Sequence, residues 1–417
     1  MNNNYRQLLM QPKYAFTALV FTILLGNAAL TTAETPIRID CEFPGGNIIL
    51  ERIENSTVFV RPDLRDTKGN WFYWSFRVRG AEGGELTFRF NRNVIGVRGP
   101  AVSCNEGKSW RWLYGKALKS PQNSFTYKFG PDEKSVRFCV AMPYQKGNLG
   151  ALFKKYSARN DFVVEHHATS RKGRDVPRFR FGSIRSEPKY RILLTCRHHA
   201  CEMMASWTLE GLVDTVMAND SRGEWLRENV EFLCIPMVDL DGVEDGDQGK
   251  NRKPHDHNRD YYPEPPIYPE VAAIKQFVPK WSKGRLRMAL DLHCPFLYGK
   301  SNVKGGNQSL FFVGNPKEDS FEKLMSFSKI LEEVLKGPIK YDSRRNLPWG
   351  ESWNTLKEPR MFARWADNLP GISIATVLEI PYADISGEPV TIESARALGA
   401  DLAAAIERWL KRQAENQ

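Results

Sequence analysis

Arg191-Ile-Leu-Leu-Thr-Cys-Arg-His-His-Ala-Cys-Glu202 is the stretch on which the reading of this 417-residue chain turns. Its apolar run, Ile192 to Cys196, has the length and composition of a buried strand, and a helical pattern begins at Met203, directly after Glu202. A strand end followed by a turn holds side chains rigidly. His199 and Glu202 offer an imidazole nitrogen and a carboxylate oxygen, two of the three protein donors of an open catalytic zinc site. The third is expected from a distant histidine. Arg287-Met-Ala-Leu-Asp-Leu-His-Cys294 supplies it, a second apolar run that ends at its histidine, His293. His-x-x-Glu arises by chance in long chains, so the weight rests on context: strand before, helix after, and a second strand ending in a ligand. Two such strand ends predict one site at one sheet edge.

Working outward, strands alternate with helices after about Gln145. The expected elements are Ile192–Cys196, Met203–Met217, Val230–Val238, Pro269–Phe277, Met288–Cys294, Ser309–Val313, Ser320–Leu335, Ile372–Ile380 and a final amphipathic helix from about Ile392 to Arg412. This alternation predicts an α/β fold, a mixed central sheet flanked by helices, with ligands gathered at strand carboxyl ends. Before it, from Ile37 to about Tyr144, short runs such as Thr57–Arg61, Trp71–Val78, Glu85–Phe90, Ser124–Phe129 and Val136–Ala141 alternate apolar and polar residues between Gly, Asn, Asp and Pro turns. Period two implies sheets with one buried face, hence an all-β sandwich. Its many aromatic residues are read as core or interface filling rather than as sugar-stacking platforms.

At the N-terminus, Arg6 and Lys13 precede an apolar run from Ala15 to Leu25, then Gly26 and Thr31-Thr-Ala33, the layout of a secretory signal peptide cleaved after Ala33. The run is shorter than the ~20 residues of a membrane-spanning helix, and no later segment is apolar enough to span. The expected division is therefore 1–33 signal peptide, 34–144 β-sandwich domain and 145–417 catalytic domain, in a secreted or periplasmic protein without stable membrane insertion after cleavage. A formal charge of +10 is spread along the chain rather than blocked, which predicts a solvated basic surface and no nucleic-acid partner. Seven cysteines, an odd number, leave at least one unpaired in a monomer. Cys201 and Cys294 adjoin proposed ligands, so a thiolate-rich zinc site is the competing reading, although no C-x-x-C supports it.

Hydrolysis at zinc needs a carboxylate to take a proton from water and a cation to face the carbonyl oxygen. Glu379 is a lone acid in the apolar strand Ala375-Thr-Val-Leu-Glu-Ile-Pro381, where a carboxylate is costly unless terminal or functional. The long polar loop 241–260 contains Arg252 and the pair Asn258-Arg259, suited to carbonyl and carboxylate recognition.

These residues resemble the zinc carboxypeptidases of the carboxypeptidase A superfamily, and within them the cytosolic carboxypeptidase-like subgroup, which carries a β-sandwich before the peptidase domain. The resemblance runs through Gly83-Gly-Glu-Leu-Thr-Phe-Arg89, Ser109-Trp-Arg-Trp-Leu113, Lys172-Gly-Arg174, His199-x-x-Glu202, Asp241-Gly-Val243, Asn258-Arg259, Asp291-Leu-His293 and Leu378-Glu379. It implies one zinc ion held by His199, Glu202 and His293, with Arg252 polarising the scissile carbonyl. It further implies Asn258 and Arg259 gripping a peptide's free terminal carboxylate, and Glu379 acting as general base and then acid. Asp291, two residues from His293 on one strand face, is expected behind it as an orienting partner. Arg360 and Arg364 are candidates for a side-chain pocket favouring acidic termini. The chain departs from the family's pattern in two places. Ala200-Cys201 stands where Pro-Gly is frequent, and no tyrosine between Tyr341 and Glu379 is available for the family's mobile tyrosine. The expected activity is an exported metallocarboxypeptidase. A zinc amidase or deacylase acting on acylated amino acids or peptidoglycan fragments remains open, as does a non-catalytic binding protein.

Overall fold

The computed structural model describes residues 36–262, 264–297, 308–355 and 360–415; the expected signal peptide lies outside them. The N-terminal part forms two sheets. Five short strands pair in the order Arg38–Asp40, Ser75–Arg79, Ser135–Cys139, Ala101–Ser103, Arg111–Trp112, and four in the order Ile49–Glu54, Thr57–Arg61, Glu85–Phe90, Ser124–Lys128. Alternation places Val58, Val60, Leu86, Phe88, Phe125 and Tyr127 inward. Across the gap Phe88 meets Phe76 and Phe138, with ring centroids 5.1 and 5.3 Å apart. The strand expected from Trp71 starts only at Ser75. Trp71 and Phe72 instead leave the sheet to pack on Phe296, at 5.4 and 5.1 Å, and Phe72 also meets Tyr382 at 5.3 Å. These aromatic rings therefore fill a junction.

That junction has polar fastenings too. The buried Arg98 guanidinium donates to Asp384 Oδ1 through Nε at 2.9 Å and Nη2 at 2.7 Å, and Trp112 Nε1 donates to the Val390 carbonyl at 2.8 Å. One apolar cluster joins residues of the N-terminal sheets, such as Val58 and Phe76, to residues of the larger sheet and its helices, such as Leu194 and Leu410.

The larger sheet has seven strands, ordered Phe162–Thr169, Asp175–Gly182, Val230–Ile235, Tyr190–Cys196, Leu286–His293, Ile374–Glu379, Phe311–Val313. The middle four run parallel and are buried along their length, as continuous apolar runs require. The flanking strands are antiparallel. Helix Met203–Val216 follows the first ligand strand and packs against Ile392–Glu415. The two backbones approach so closely that a Cβ on Gly211 would meet the Arg396 carbonyl oxygen at 2.0 Å, and one on Gly399 the Thr208 carbonyl oxygen at 2.1 Å.

His167 is buried where the strand Phe162–Thr169 meets the helix Pro269–Ser282, with Nε2 3.0 Å from the Glu270 carbonyl oxygen. Burial, aided by the charge of Arg178, pushes its imidazole down to about 4. The folded state thus resists a proton that the unfolded chain takes up near its ordinary value of 6.5. Stability from this group is full above that value and is lost as pH falls toward the folded value, by roughly 3 kcal/mol in all. Urea unfolding at pH 7 and 4.5 is expected to show a pH-dependent loss smaller by about 2–3 kcal/mol in His167→Gln than in the wild type. Equal losses in the two proteins would exclude His167 as the source.

Candidate active site

The site is built on the carboxyl ends of three adjacent parallel strands, at Cys196, His293 and Glu379. His293 and Glu379 are register partners across the sheet. After Cys196 the chain turns sharply: Arg197 adopts φ +60°, a left-handed conformation costly for a side chain with a Cβ. Its buried guanidinium holds the turn it strains. Nε donates to the Ala200 carbonyl at 3.0 Å, and Nη1 donates to the Tyr144 carbonyl at 2.9 Å and to Ser206 Oγ at 3.2 Å. His199 and Glu202 are thereby presented together.

One donor atom from each of His199, Glu202 and His293 lies within 4.8 Å of the others. His199 Nδ1 is 3.0 Å from Glu202 Oε1, and His293 Nδ1 is 2.8 Å from Glu202 Oε2. The edges of a tetrahedron with ~2.1 Å metal–donor bonds are ~3.4 Å, so these donors need to spread by only a few tenths of an ångström to accept zinc. Glu202 Oε2 is fully buried and, among the described residues, has no well-aligned hydrogen bond beyond its approach to His293 Nδ1, as a carboxylate oxygen reserved for a cation would. Each imidazole turns its other nitrogen to a carboxylate: His199 Nε2 is 3.6 Å from Asp256 Oδ1, and His293 Nε2 is 2.6 Å from Asp291 Oδ2. Such partners fix the ring orientation and strengthen the donor. The residues fit one zinc ion. Burial by itself would raise the Glu202 carboxyl, but the charges of Lys250, His293 and His199 outweigh it and hold the group well below the usual range.

A second group of donors, His198, Asp291 and His293, also converges. Its atoms are engaged with one another: Asp291 Oδ1 accepts from Thr195 Oγ1 and lies 2.8 Å from His198 Nδ1, while His198 Nε2 is 2.8 Å from the Tyr261 hydroxyl. This buried chain braces His293 from behind. All seven cysteines are free, and neither donor group among the described residues contains one, which sets aside the thiolate-rich site. Burial pushes the Cys201 thiol up to about 12, so it stays protonated near neutral pH.

Glu379 is 8% exposed, and its Oε2 has no hydrogen-bond partner among the described residues. Burial, with the charge of Glu202, raises its carboxyl above the ordinary value against the opposing charges of His293 and Lys250. Asn258 is buried beside the third ligand, Nδ2 lying 3.5 Å from His293 Nε2 while Oδ1 accepts the Phe362 N–H at 3.0 Å. Arg259 is next to it, with Nη1 donating to the Asn258 carbonyl at 3.1 Å. The helix Phe362–Ala366 is fastened to the site through that Phe362 bond and carries buried Arg364, whose Nη2 donates to Asn354 Oδ1 at 2.8 Å. Arg360 is exposed, and its carbonyl accepts from the Tyr261 N–H.

Arg252 is not brought to these donors. Its Nε, Nη1 and Nη2 meet Asp66 at 3.1 Å, Asp239 at 2.6 Å and Asp247 at 3.0 Å, on the wall of a separate polar cleft of about 520 Å³. Lys250 is at the ligands instead, with Nζ 2.6 Å from Glu202 Oε1. Sequence reasoning passed over Lys250, Asp256, Arg197 and His198. For Asp256 a signal existed, its place two residues before Asn258 in the same polar loop; for Lys250 nothing separates it from the other bases of that loop.

Residues 151–294 match the profile of the family described as zinc carboxypeptidase. The chain is 24% identical over 311 residues to cytosolic carboxypeptidase 6 of Caenorhabditis elegans, covering 66% of this chain and 67% of that one. It is 22% identical over 313 residues to bovine cytosolic carboxypeptidase 3, where the match spans 66% of this chain but only 30% of the relative. Two solved structures share the fold over 90% of this chain and 99% of their own. They are a Pseudomonas aeruginosa metallo-carboxypeptidase in complex with (2-guanidinoethylmercapto)succinic acid, at TM-score 0.74 and 18% identity, and one from Burkholderia cenocepacia, at 0.72 and 19%. The three donors lie within the segment that matches the zinc carboxypeptidase profile, and their arrangement fits one zinc ion. More particularly, the two relatives just described are cytosolic carboxypeptidases, to which this chain is similar.

Proposed function

We propose that the protein is an exported metallocarboxypeptidase that hydrolyses the C-terminal peptide bond of peptides. The observation that carries this reading is the convergence of His199, Glu202 and His293 donors within 4.8 Å, with Glu379 in register beside His293. When bound, zinc supplies a Lewis acid that makes water a usable nucleophile near neutral pH. Asn258 and Arg259 bind the terminal carboxylate, the guanidinium as a bidentate fork, and so fix which bond is presented. Glu379 Oε2 takes a proton from the attacking water as the C–O bond forms. The same proton passes to the amine nitrogen as the C–N bond breaks, leaving a shortened peptide carboxylate and a free amino acid. A raised carboxyl suits both halves of that task, since the group must accept the proton and release it.

Digestion of a mixed peptide library with and without a zinc chelator, read by mass, tests the assignment. Chelator-sensitive loss of single C-terminal residues is expected. Release of acyl groups with intact C-termini would replace it with the amidase reading, and no reaction at all with the binding-protein reading. Export belongs to the same proposal, on the strength of the charged, apolar and small-residue order of residues 1–33. N-terminal sequencing of the natural protein is expected to start at Glu34.

Arg364 supports a finer proposal, that the favoured terminal residue is acidic. It is a buried cation on a helix whose first residue is bonded to Asn258. A charge-assisted pair with a substrate carboxylate contributes about 1.5–3 kcal/mol, so peptides ending in Glu are expected to be cleaved with kcat/KM about 10- to 100-fold above those ending in Phe, and Arg364→Met to erase the difference. Preference for Lys would reject this pocket.

A further inference from the structure

We propose that Lys250, and not Arg252, supplies the positive charge facing the scissile carbonyl oxygen, and that the N-terminal β region holds it there through Asp66. The inference rests on the carboxypeptidase reading and extends it to a residue that the family resemblance does not point to.

Three carboxylates ring the Arg252 guanidinium, one at each nitrogen. A cation so neutralised has little field left to offer a substrate, and its fork is spent on Asp66, Asp239 and Asp247. Lys250 stands differently. Its Nζ is 2.6 Å from the metal ligand Glu202 and donates at 3.3 Å to the carbonyl of Cys294, the residue after the ligand His293. Among the described residues these two acceptors take two of the three donors an ammonium carries, and the third remains for a substrate oxygen. The side chain is 11% exposed, and its charge reaches Glu379 as well as Glu202. A charge fixed between the metal ligands and a candidate base is where a developing oxyanion is stabilised most, because the dry surroundings do not reorganise during the reaction.

The placement is enforced from outside the catalytic sheet. Gly249 takes φ +75° and lies so tightly under the ligand turn that a Cβ there would meet the Ala200 nitrogen at 2.2 Å. Asp66 accepts the Gln248 and Gly249 N–H groups at 3.1 and 2.9 Å. The Gln248 amide accepts from the Tyr73 N–H at 2.7 Å and donates to the Tyr73 carbonyl at 2.9 Å. Thr67 Oγ1 donates to the Lys250 carbonyl, and the ammonium lies 5.0 Å from the centre of the Trp71 ring. Asp66 touches no reacting atom and is a positioning residue; Lys250 is catalytic.

The test compares Lys250→Met, Lys250→Arg, Asp66→Asn and Arg252→Lys with the wild-type full chain. Four readouts are taken: bound zinc, kcat and KM on a cleaved peptide, affinity for a phosphinic dipeptide whose tetrahedral anion imitates the hydrated carbonyl, and affinity for the free product amino acid. Lys250→Met is expected to keep one zinc and its product affinity while losing about 100-fold in both kcat and phosphinate affinity, with KM nearly unchanged. Lys250→Arg recovers part of that loss. Asp66→Asn lowers kcat and phosphinate affinity together without moving KM, a split that general destabilisation does not produce. Arg252→Lys leaves the ratio of phosphinate to product affinity at the wild-type value. If Lys250→Met does not fold, Lys250→Gln, which keeps a donor toward Glu202 without the charge, takes its place. Phosphinate affinity unchanged in the neutral variant, loss of zinc from it, or loss of phosphinate affinity in Arg252→Lys overturns the proposal. A wild type that cleaves no peptide, with phosphinate binding still dependent on Lys250, overturns the carboxypeptidase reading and leaves this assignment standing.

Discussion

Glu379→Gln is expected to retain one zinc per chain and to lower kcat by about 10²- to 10⁴-fold, the range associated with losing a positioned general base. The substitution is isosteric and sits at the last residue of a buried strand whose neighbours, Leu378 and Ile380, are fully covered, so the backbone has no reason to move. Glu379 is not one of the His199, Glu202 and His293 donors, and zinc content is therefore expected to be preserved. What changes is one atom's chemistry. An amide does not take up a proton from water at neutral pH, and Oε2, which has no hydrogen-bond partner among the described residues, is the oxygen placed to do so. The measurement is single-turnover cleavage alongside zinc analysis. A variant that turns over at the wild-type rate would remove Glu379 from the mechanism, and one that loses its zinc would make it part of the metal site.

The second large effect is on the metal itself. His293→Ala is expected to abolish stoichiometric zinc binding and hydrolysis together, and to make the protein indifferent to chelator. For the wild type, zinc at about 1,000 times its dissociation constant stabilises the fold by about 4 kcal/mol, so stripping it is expected to lower stability by that amount. The alanine variant carries an additional penalty. Among the described residues, Asp291, fully buried, keeps the hydrogen bonds to His198 and Thr195 once His293 is gone. Opening a buried charged network in this way costs about 3–5 kcal/mol. Denaturant titration with and without chelator separates the two terms. Zinc bound with undiminished affinity by His293→Ala would place the metal elsewhere.

What was legible in the sequence follows from periodicity and from the cost of burying charge. His199, Glu202 and His293 stand where apolar strands break off, and a parallel sheet gathers such ends at one edge; the three donors do meet there. Glu379 was visible as an acid with no apolar reason to be in its strand. The polar loop after Leu240 was recognisable as a candidate for substrate binding, but its inner geometry was not. Arg252 and Lys250 are two residues apart, and which of them reaches the ligands depends on the left-handed Gly249 and on Asp66, a residue 183 positions from Gly249 in the chain. No local pattern encodes a loop whose shape is set by hydrogen bonds to a distant segment. The late start of the strand at Ser75 has the same origin, since Trp71 and Phe72 are drawn to Phe296 and Tyr382 by tertiary packing that overrides β-propensity.

The shared apolar cluster, together with the Arg98–Asp384 fastening, bears on how the enzyme ages and can be trimmed. A protease that nicks the chain near Tyr144 has no loosely tethered module to release, because cutting the backbone leaves Phe72 wedged between Phe296 and Tyr382 and leaves Asp66 laced to the loop beneath the ligand turn. The clipped halves are expected to co-migrate as a working complex, whereas a peptidase half expressed from residue 145 onward would emerge with bare aromatic surface and a slack catalytic loop.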